Sequence, residues 1–236
     1  MMPGEAPARS ATAARPTPRR TLLLAAGAAG GAALLASVLP PPHGAHAQAI
    51  DSGQAAAFIR QTGDQLVAAI NDPRLNLAQR RQRVAEILRN AVDIEGVGRF
   101  ILGRYVRQAS PEELAEYFRL FEQVIIRNLS SRFGEYQGVR FTLGRSQQRA
   151  GDDVLVTTII ERPRSEPFTL DWRVSEVGGQ PKIVDVIAEG TSLRLTTRSE
   201  YSAVIQRNGG NVSALLTAMR NQIQQLAARE GSGGGR

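Results

Sequence analysis

The chain contains no cysteine, and that single absence removes disulfides, thiolate nucleophiles and thiolate-held metals together. Histidine is scarce as well. Its two copies, His43 and His46, both precede residue 48, within a stretch that carries the marks of an export signal. Cleavage there leaves a mature chain with no imidazole, which excludes the commonest general base and the commonest zinc ligand. Lysine occurs once, at Lys182, so arginine supplies the other 28 of the 29 basic residues.

The opening residues pass through Arg9, Arg15, Arg19 and Arg20, continue as TLLLAAGAAGGAALLASVLP and close on PPHGAHAQA. A basic start, an apolar middle and the small residues Ala45 and Ala47 around His46 read as a signal peptide over 1–47. A membrane anchor is the competing reading of the apolar run, but its Gly and Ala content makes a poor span. Arg19-Arg20 before Thr21-Leu22-Leu23 resembles a twin-arginine export signal, with the general secretory route as the alternative. Cleavage after Ala47 leaves 189 of the 236 residues. That length suits one domain over 48–230, with GSGGGR over 231–236 as a loose tail. Without disulfides the exported domain holds together by packing alone.

The formal net charge is +7, but Arg9, Arg15, Arg19 and Arg20 against Glu5 carry +3 of it. The remainder is spread along the chain with no compact basic run and no interleaved aromatics. Nucleic acid is therefore excluded as a partner. Dispersed arginines read first as solvated faces and second as ligands for phosphate or an anionic surface.

Periodicity lays out the elements. Asp51 and Ser52 cap a helix to about residue 71, with Ala55, Phe58, Ile59, Leu66, Val67 and Ile70 on one stripe. A second helix spans roughly 77–92. Gly96 and Gly98 are expected to interrupt helicity before a short apolar turn at Phe100, Ile101, Leu102 and Tyr105. Ser110-Pro111-Glu112-Glu113 then forms a capping box with proline at the first helical position. A long amphipathic helix follows, its broad face carrying Leu114, Phe118, Phe121, Ile125, Leu129 and Phe133. Beyond Gly138 the period falls to two at 139–143 and 168–174, and strands are expected there, at the near-continuous β-branched run 154–160, whose inward face alternation leaves open, and at 183–188. Helices at 199–208 and 212–228 close the chain. The fold class expected is α+β: one domain, a curved antiparallel sheet of about four strands packed with N-terminal and C-terminal helices around an apolar cavity.

Leu102-Gly103-Arg104-Tyr105, the Ser110 capping box, Tyr117-Phe118 and Phe121 resemble the periplasmic phospholipid-binding MlaC family, also called the toluene-tolerance family. So do Asp185-Val186-Ile187-Ala188-Glu189-Gly190-Thr191-Ser192-Leu193, Arg198-Ser199-Glu200-Tyr201 and the break at Asn208-Gly209-Gly210. The resemblance covers about 58–226. The chain departs from the family pattern at Val106, at Lys182-Ile183 and at Thr196-Thr197. The resemblance implies a soluble periplasmic carrier, neither enzyme nor cofactor protein. It would hold phospholipid acyl chains and pass lipid between an outer-membrane lipoprotein complex and an inner-membrane ABC transporter with an MCE-domain ring.

On facing, Phe141, Leu143, Phe168, Leu170, Trp172 and Val174 are expected to line the cavity from the sheet. Phe118, Phe121, Val124, Ile125 and Leu129 are expected from the long helix, with Phe100, Leu102 and Tyr105 at the junction and Leu193 after the last strand. Each position equally fits a dry core, since both have the same periodic signature. Arg104 and Arg198 come with the family motif and are expected to pair with a carboxylate such as Asp185 or Glu189, or to meet a head group. Three other readings fit parts of the pattern. One is a cone-shaped enzyme using Asp171, Asp185, Tyr105 or Tyr201. A carrier of another lipid, such as a hopanoid, and an adaptor for a partner helix are the others.

Overall fold

The computed structural model describes residues 50–133, 135–149, 151, 153–163 and 165–233. The signal peptide expected over 1–47 lies outside these residues, as does the end of the tail, 234–236. Three helices start with reciprocal capping boxes. They are α1 (Ser52–Asn71) on Asp51 and Gln54, α2 (Leu77–Ala91) on Asn76 and Gln79, and α4 (Pro111–Ser130) on Ser110 and Glu113. Each box satisfies two backbone N–H groups that a helix start leaves free.

Between α2 and α4 lies α3 (Ile94–Leu102), where an interruption is expected from the two glycines. Asp93 caps it by accepting from the Gly96 N–H at 3.0 Å. Gly98 is there for proximity: an added Cβ would stand 2.9 Å from the Phe118 ring. The Tyr117 hydroxyl also donates to the Gly98 carbonyl at 3.0 Å. The tertiary contact across Gly98 thus outweighs its weak helix propensity. A 3-10 turn, Gly103–Arg107, leads on to α4.

The sheet is a meander in sequence order, β1 (Arg140–Gln148), β2 (Val154–Glu161), β3 (Phe168–Val177), β4 (Gln180–Ala188) and β5 (Thr191–Ser192), every pair antiparallel. The short fifth strand adds to the expected four. Register resolves the ambiguous run in β2. Val154, Val156, Thr158 and Ile160 stand opposite Val174, Trp172, Leu170 and Phe168, and Phe141 and Leu143 stand opposite Ile160 and Thr158. All of these share one face, because side chains in register point the same way. Irregular register between Leu143 and Ser146, and between Arg173 and Val174, bends the sheet locally.

Helix α5 (Leu193–Arg207) starts six residues earlier than periodicity indicates, because Ser192 caps it by accepting from the Leu195 N–H. Helix α6 (Val212–Gly233) runs into the expected tail. The apolar side chains gather in three clusters. One joins α1 to the sheet through Ile59, Ala55, Val154, Val156, Val174 and Ile183. A second joins α1, α2 and α4 through Ile70, Val84, Leu88 and Ile126. The third, and largest, is built by α3, the 3-10 turn, α4, α5 and α6, with Leu102, Tyr105, Tyr117, Phe121, Tyr201, Leu215 and Met219 among its buried residues. The long helix α4 therefore packs mainly on helices, and it is α1 that lies over the sheet.

Candidate functional site

Between α1 and the sheet runs an apolar cleft of about 140 Å³. Ile59, Thr62, Gly63, Leu66, Val67 and Ile70 of α1 form one wall. Phe141, Thr158, Ile160, Phe168, Leu170, Trp172 and Ile183 form the sheet side, and Leu129, Tyr136 and Val139 complete the lining. None of these residues carries a charge. Two of the few polar atoms are paired with other protein atoms: the Trp172 indole N–H donates to Thr158 Oγ1 at 2.8 Å, and the Thr158 hydroxyl donates to the Leu170 carbonyl at 3.3 Å. What such a lining can do is shelter hydrocarbon.

Gly63 explains how α1 sits so low. A Cβ there would overlap the Phe141 ring, so the ring is laid against bare helix backbone. A glycine inside a helix costs about 0.5–1 kcal/mol relative to alanine, a penalty that the close approach to β1 makes intelligible. Among the described residues, polar ties between the α1 and β1 segments and their flanking residues are few. The Gly138 N–H donates to Asn71 Oδ1 at 2.8 Å, and the Gln148 amide reaches the Ile50 carbonyl at 3.5 Å.

The expected cavity residues divide into separate places. Leu129, Phe141, Phe168, Leu170 and Trp172 come together in the cleft. Leu143 and Val174 share its sheet face but pack into the α1 cluster. Leu102, Tyr105, Phe121 and Val124 are buried in the helical cluster, with Phe100, Phe118 and Ile125 packed against it, so the junction and most of the α4 stripe lie away from the cleft. Leu193 is exposed. The wall supplied by α1 was legible only as a helical stripe, and the interior Gly63 was its one distinguishing mark.

The motif arginines also take other partners. Asp185 is buried, and it accepts from the Ser192 hydroxyl at 2.6 Å and the Arg194 backbone N–H at 3.2 Å, with the Arg194 guanidinium 3.4 Å away. The carboxylate thus anchors the start of α5, and its arginine is Arg194, where Arg104 or Arg198 was expected. Arg198 donates to the Phe100 carbonyl at 3.0 Å and lies over the Phe100 ring, which Arg194 also covers. Arg104 donates to the Tyr105 hydroxyl at 2.9 Å. Burial pushes the Tyr201 phenol up to about 12 and the Tyr117 phenol higher still, so both stay protonated in the helical cluster. Asp171 accepts from the Thr157 hydroxyl at 2.5 Å. None of Asp171, Asp185, Tyr105 and Tyr201 lines the cleft.

Among the described residues, no helix is long and apolar enough to cross a membrane, and no group of three or more acidic, His or Cys side chains is placed to hold a metal. Comparison with known proteins converges. A family model described as MlaC protein matches residues 60–221. The intermembrane phospholipid transport system binding protein MlaC of Haemophilus influenzae is 23% identical over 186 residues, 75% of this chain and 86% of that protein. The toluene tolerance protein Ttg2D of Pseudomonas putida is 20% identical over 138 residues, 58% of this chain and 64% of that protein. A phospholipid-binding protein from Ralstonia solanacearum, solved in complex with a phospholipid, superposes with a TM-score of 0.66 at 26% identity, covering 73% of this chain and 98% of that one.

Proposed function

The chain belongs to the MlaC family, and from that premise we propose that it is a non-enzymatic periplasmic carrier of phospholipid, holding acyl chains in the cleft between α1 and the sheet. The observation that carries this reading is the lining, which has no charged residue among those described and a shape bounded by one helix and a bent sheet. Each methylene taken out of water contributes roughly 0.8 kcal/mol, so about ten sheltered methylenes supply roughly 8 kcal/mol without any specific polar contact. At about 140 Å³ the cleft is narrower than the roughly 300–1,000 Å³ of ordinary ligand sites. Loading accordingly moves α1 away from the strands, a step that breaks few hydrogen bonds.

In this reading residues 1–47 are an export signal removed on the way to the periplasm. The mature carrier exchanges lipid with an outer-membrane lipoprotein complex and with an inner-membrane MCE-domain ABC transporter. No cofactor takes part. The test is solvent extraction and native mass spectrometry of protein purified from a bacterial host. Phospholipid at close to one per chain is expected. Protein free of lipid across preparations would overturn the proposal, and extraction of a hopanoid in its place would reassign the cargo.

A further inference from the structure

Among the described residues the apolar cleft has no charged side chain of its own to meet a head group, yet the guanidinium of Arg162 stands beside two of its lining rings. Arg162 follows directly after β2, whose Ile160 is part of the cleft wall. Its guanidinium carbon lies 5.7 Å from the centre of the Tyr136 ring and 5.0 Å from that of Phe168, and both rings line the cleft. The side chain keeps 23% of its surface in contact with solvent, which puts it on the boundary between the apolar interior and water. Its Nη1 faces Glu135 at 3.5 Å, a carboxylate 57% exposed. Its Nε, by contrast, is buried and has no hydrogen-bond partner among the described residues.

A buried guanidinium N–H without an acceptor is a costly arrangement, and an arriving anion would relieve it. Stacking on two aromatic rings holds the fork in place, and a held fork suits the paired oxygens of a phosphodiester. The exposed Glu135 is a weak competitor, because exposed pairs contribute little. We propose that Arg162 is the receptor for the phosphate of the bound lipid. The buried Nε–H edge takes a non-bridging oxygen as the acyl chains enter alongside Tyr136 and Phe168. The inference rests on the carrier reading and adds a selectivity to it: the protein distinguishes diacyl lipids with a phosphate from those without one, whatever alcohol the phosphate carries.

The experiment incubates the mature protein with vesicles of dioleoylphosphatidylglycerol containing a minor fraction of dioleoylglycerol, and normalises the two lipids recovered on the protein to the vesicle composition. The wild type should prefer the phospholipid by about tenfold or more, the scale of one charge-assisted hydrogen bond. Arg162→Gln should bring the ratio close to one while still taking up dioleoylglycerol, and Glu135→Gln, which frees the fork, should keep or raise the preference. Arg140→Gln, at an exposed residue paired with Glu161, should change nothing. An undiminished preference in Arg162→Gln would overturn the proposal, as would loss of preference in Glu135→Gln. Abolition of the preference by inorganic phosphate would assign the guanidinium to free anions and overturn the head-group role. A wild type that loads neither lipid would count against the carrier itself, whereas one that loads both equally would refute only the role of Arg162.

Discussion

Leu170→Asp separates a lipid cleft from a dry core more sharply than any other single change. Leu170 faces the cleft from β3 and is only half-buried, and it belongs to none of the three buried clusters. Full burial of a leucine side chain contributes about 1.5–3 kcal/mol. Losing a half-buried one should therefore cost the free protein about 1 kcal/mol, and the carboxylate can reach water through the open cleft. In the loaded state it cannot. An acyl chain packed against it strips its hydration, a penalty of several kcal/mol that drives the group to neutralise or the lipid to leave. Lipid per chain should fall by about a hundredfold, the equivalent of about 3 kcal/mol, while the thermal midpoint drops by only a few degrees. The assay pairs quantitative lipid extraction with thermal unfolding of delipidated protein, so that stability is compared without cargo. Wild-type lipid stoichiometry in Leu170→Asp would refute the placement of acyl chains between α1 and the sheet. A collapse in stability with no folded fraction would show that Leu170 belongs to a dry core.

Phe121→Ala should behave in the opposite way: the ring is buried among helices and stacked on Tyr117 with centroids 5.8 Å apart, so chemical denaturation should report a loss of about 3–5 kcal/mol with unchanged lipid per folded chain. Glu230 is buried and accepts from Arg81 and Arg127, each at 2.9 Å, and from the Ser130 hydroxyl. Glu230→Gln should lower stability by about 3 kcal/mol, the low end for breaking a buried pair because both guanidinium groups keep some solvent, and urea unfolding measures it. Asp72 receives the Arg74 guanidinium on both oxygens, at 2.9 and 2.8 Å, and these bonds hold its carboxyl down at about 2 against an ordinary 3.8. Because the folded value is the lower one, its contribution to stability is present above pH 3.8 and disappears as pH falls through about 2. Carboxyl NMR should show that low midpoint, and Arg74→Ala should return it towards 3.8.

Local rules were enough for much of the fold. Asp51, Asn76 and Ser110 start helices because a short polar side chain reaches N–H groups within its own turn, and no distant contact is needed. The strands were legible from local composition for the same reason, although only pairing register settled which face of β2 points inward, and short connections leave little choice but a meander. Where a local rule met a distant partner it failed. Gly96 and Gly98 read as a break, yet Phe118 and Tyr117 draw that backbone into α3. Ser192 caps α5 early because Asp185, buried on β4, holds both the cap and Arg194.

The cleft shows that limit most clearly. By itself the sequence determined that the domain has no cysteine, no histidine after residue 46, several capped amphipathic helices and a sheet with one apolar face. It also showed that Leu129, Phe141, Phe168, Leu170 and Trp172 point inward. Which helix lies opposite the sheet was decided only in three dimensions. The stripes on α1 and α4 are both broad, and periodicity records which way a side chain faces without recording what it meets. α4 found α6 and α3, so its aromatic face became core. α1, with Gly63 admitting the Phe141 ring, was left to close over the strands, and Arg162 reached the rim of the cleft only because the end of β2 comes beside Tyr136 and Phe168. Burial energy depends on the area covered and is indifferent to its source, so nothing in the chain's periodicity distinguished these two helices until the long-range contacts were made.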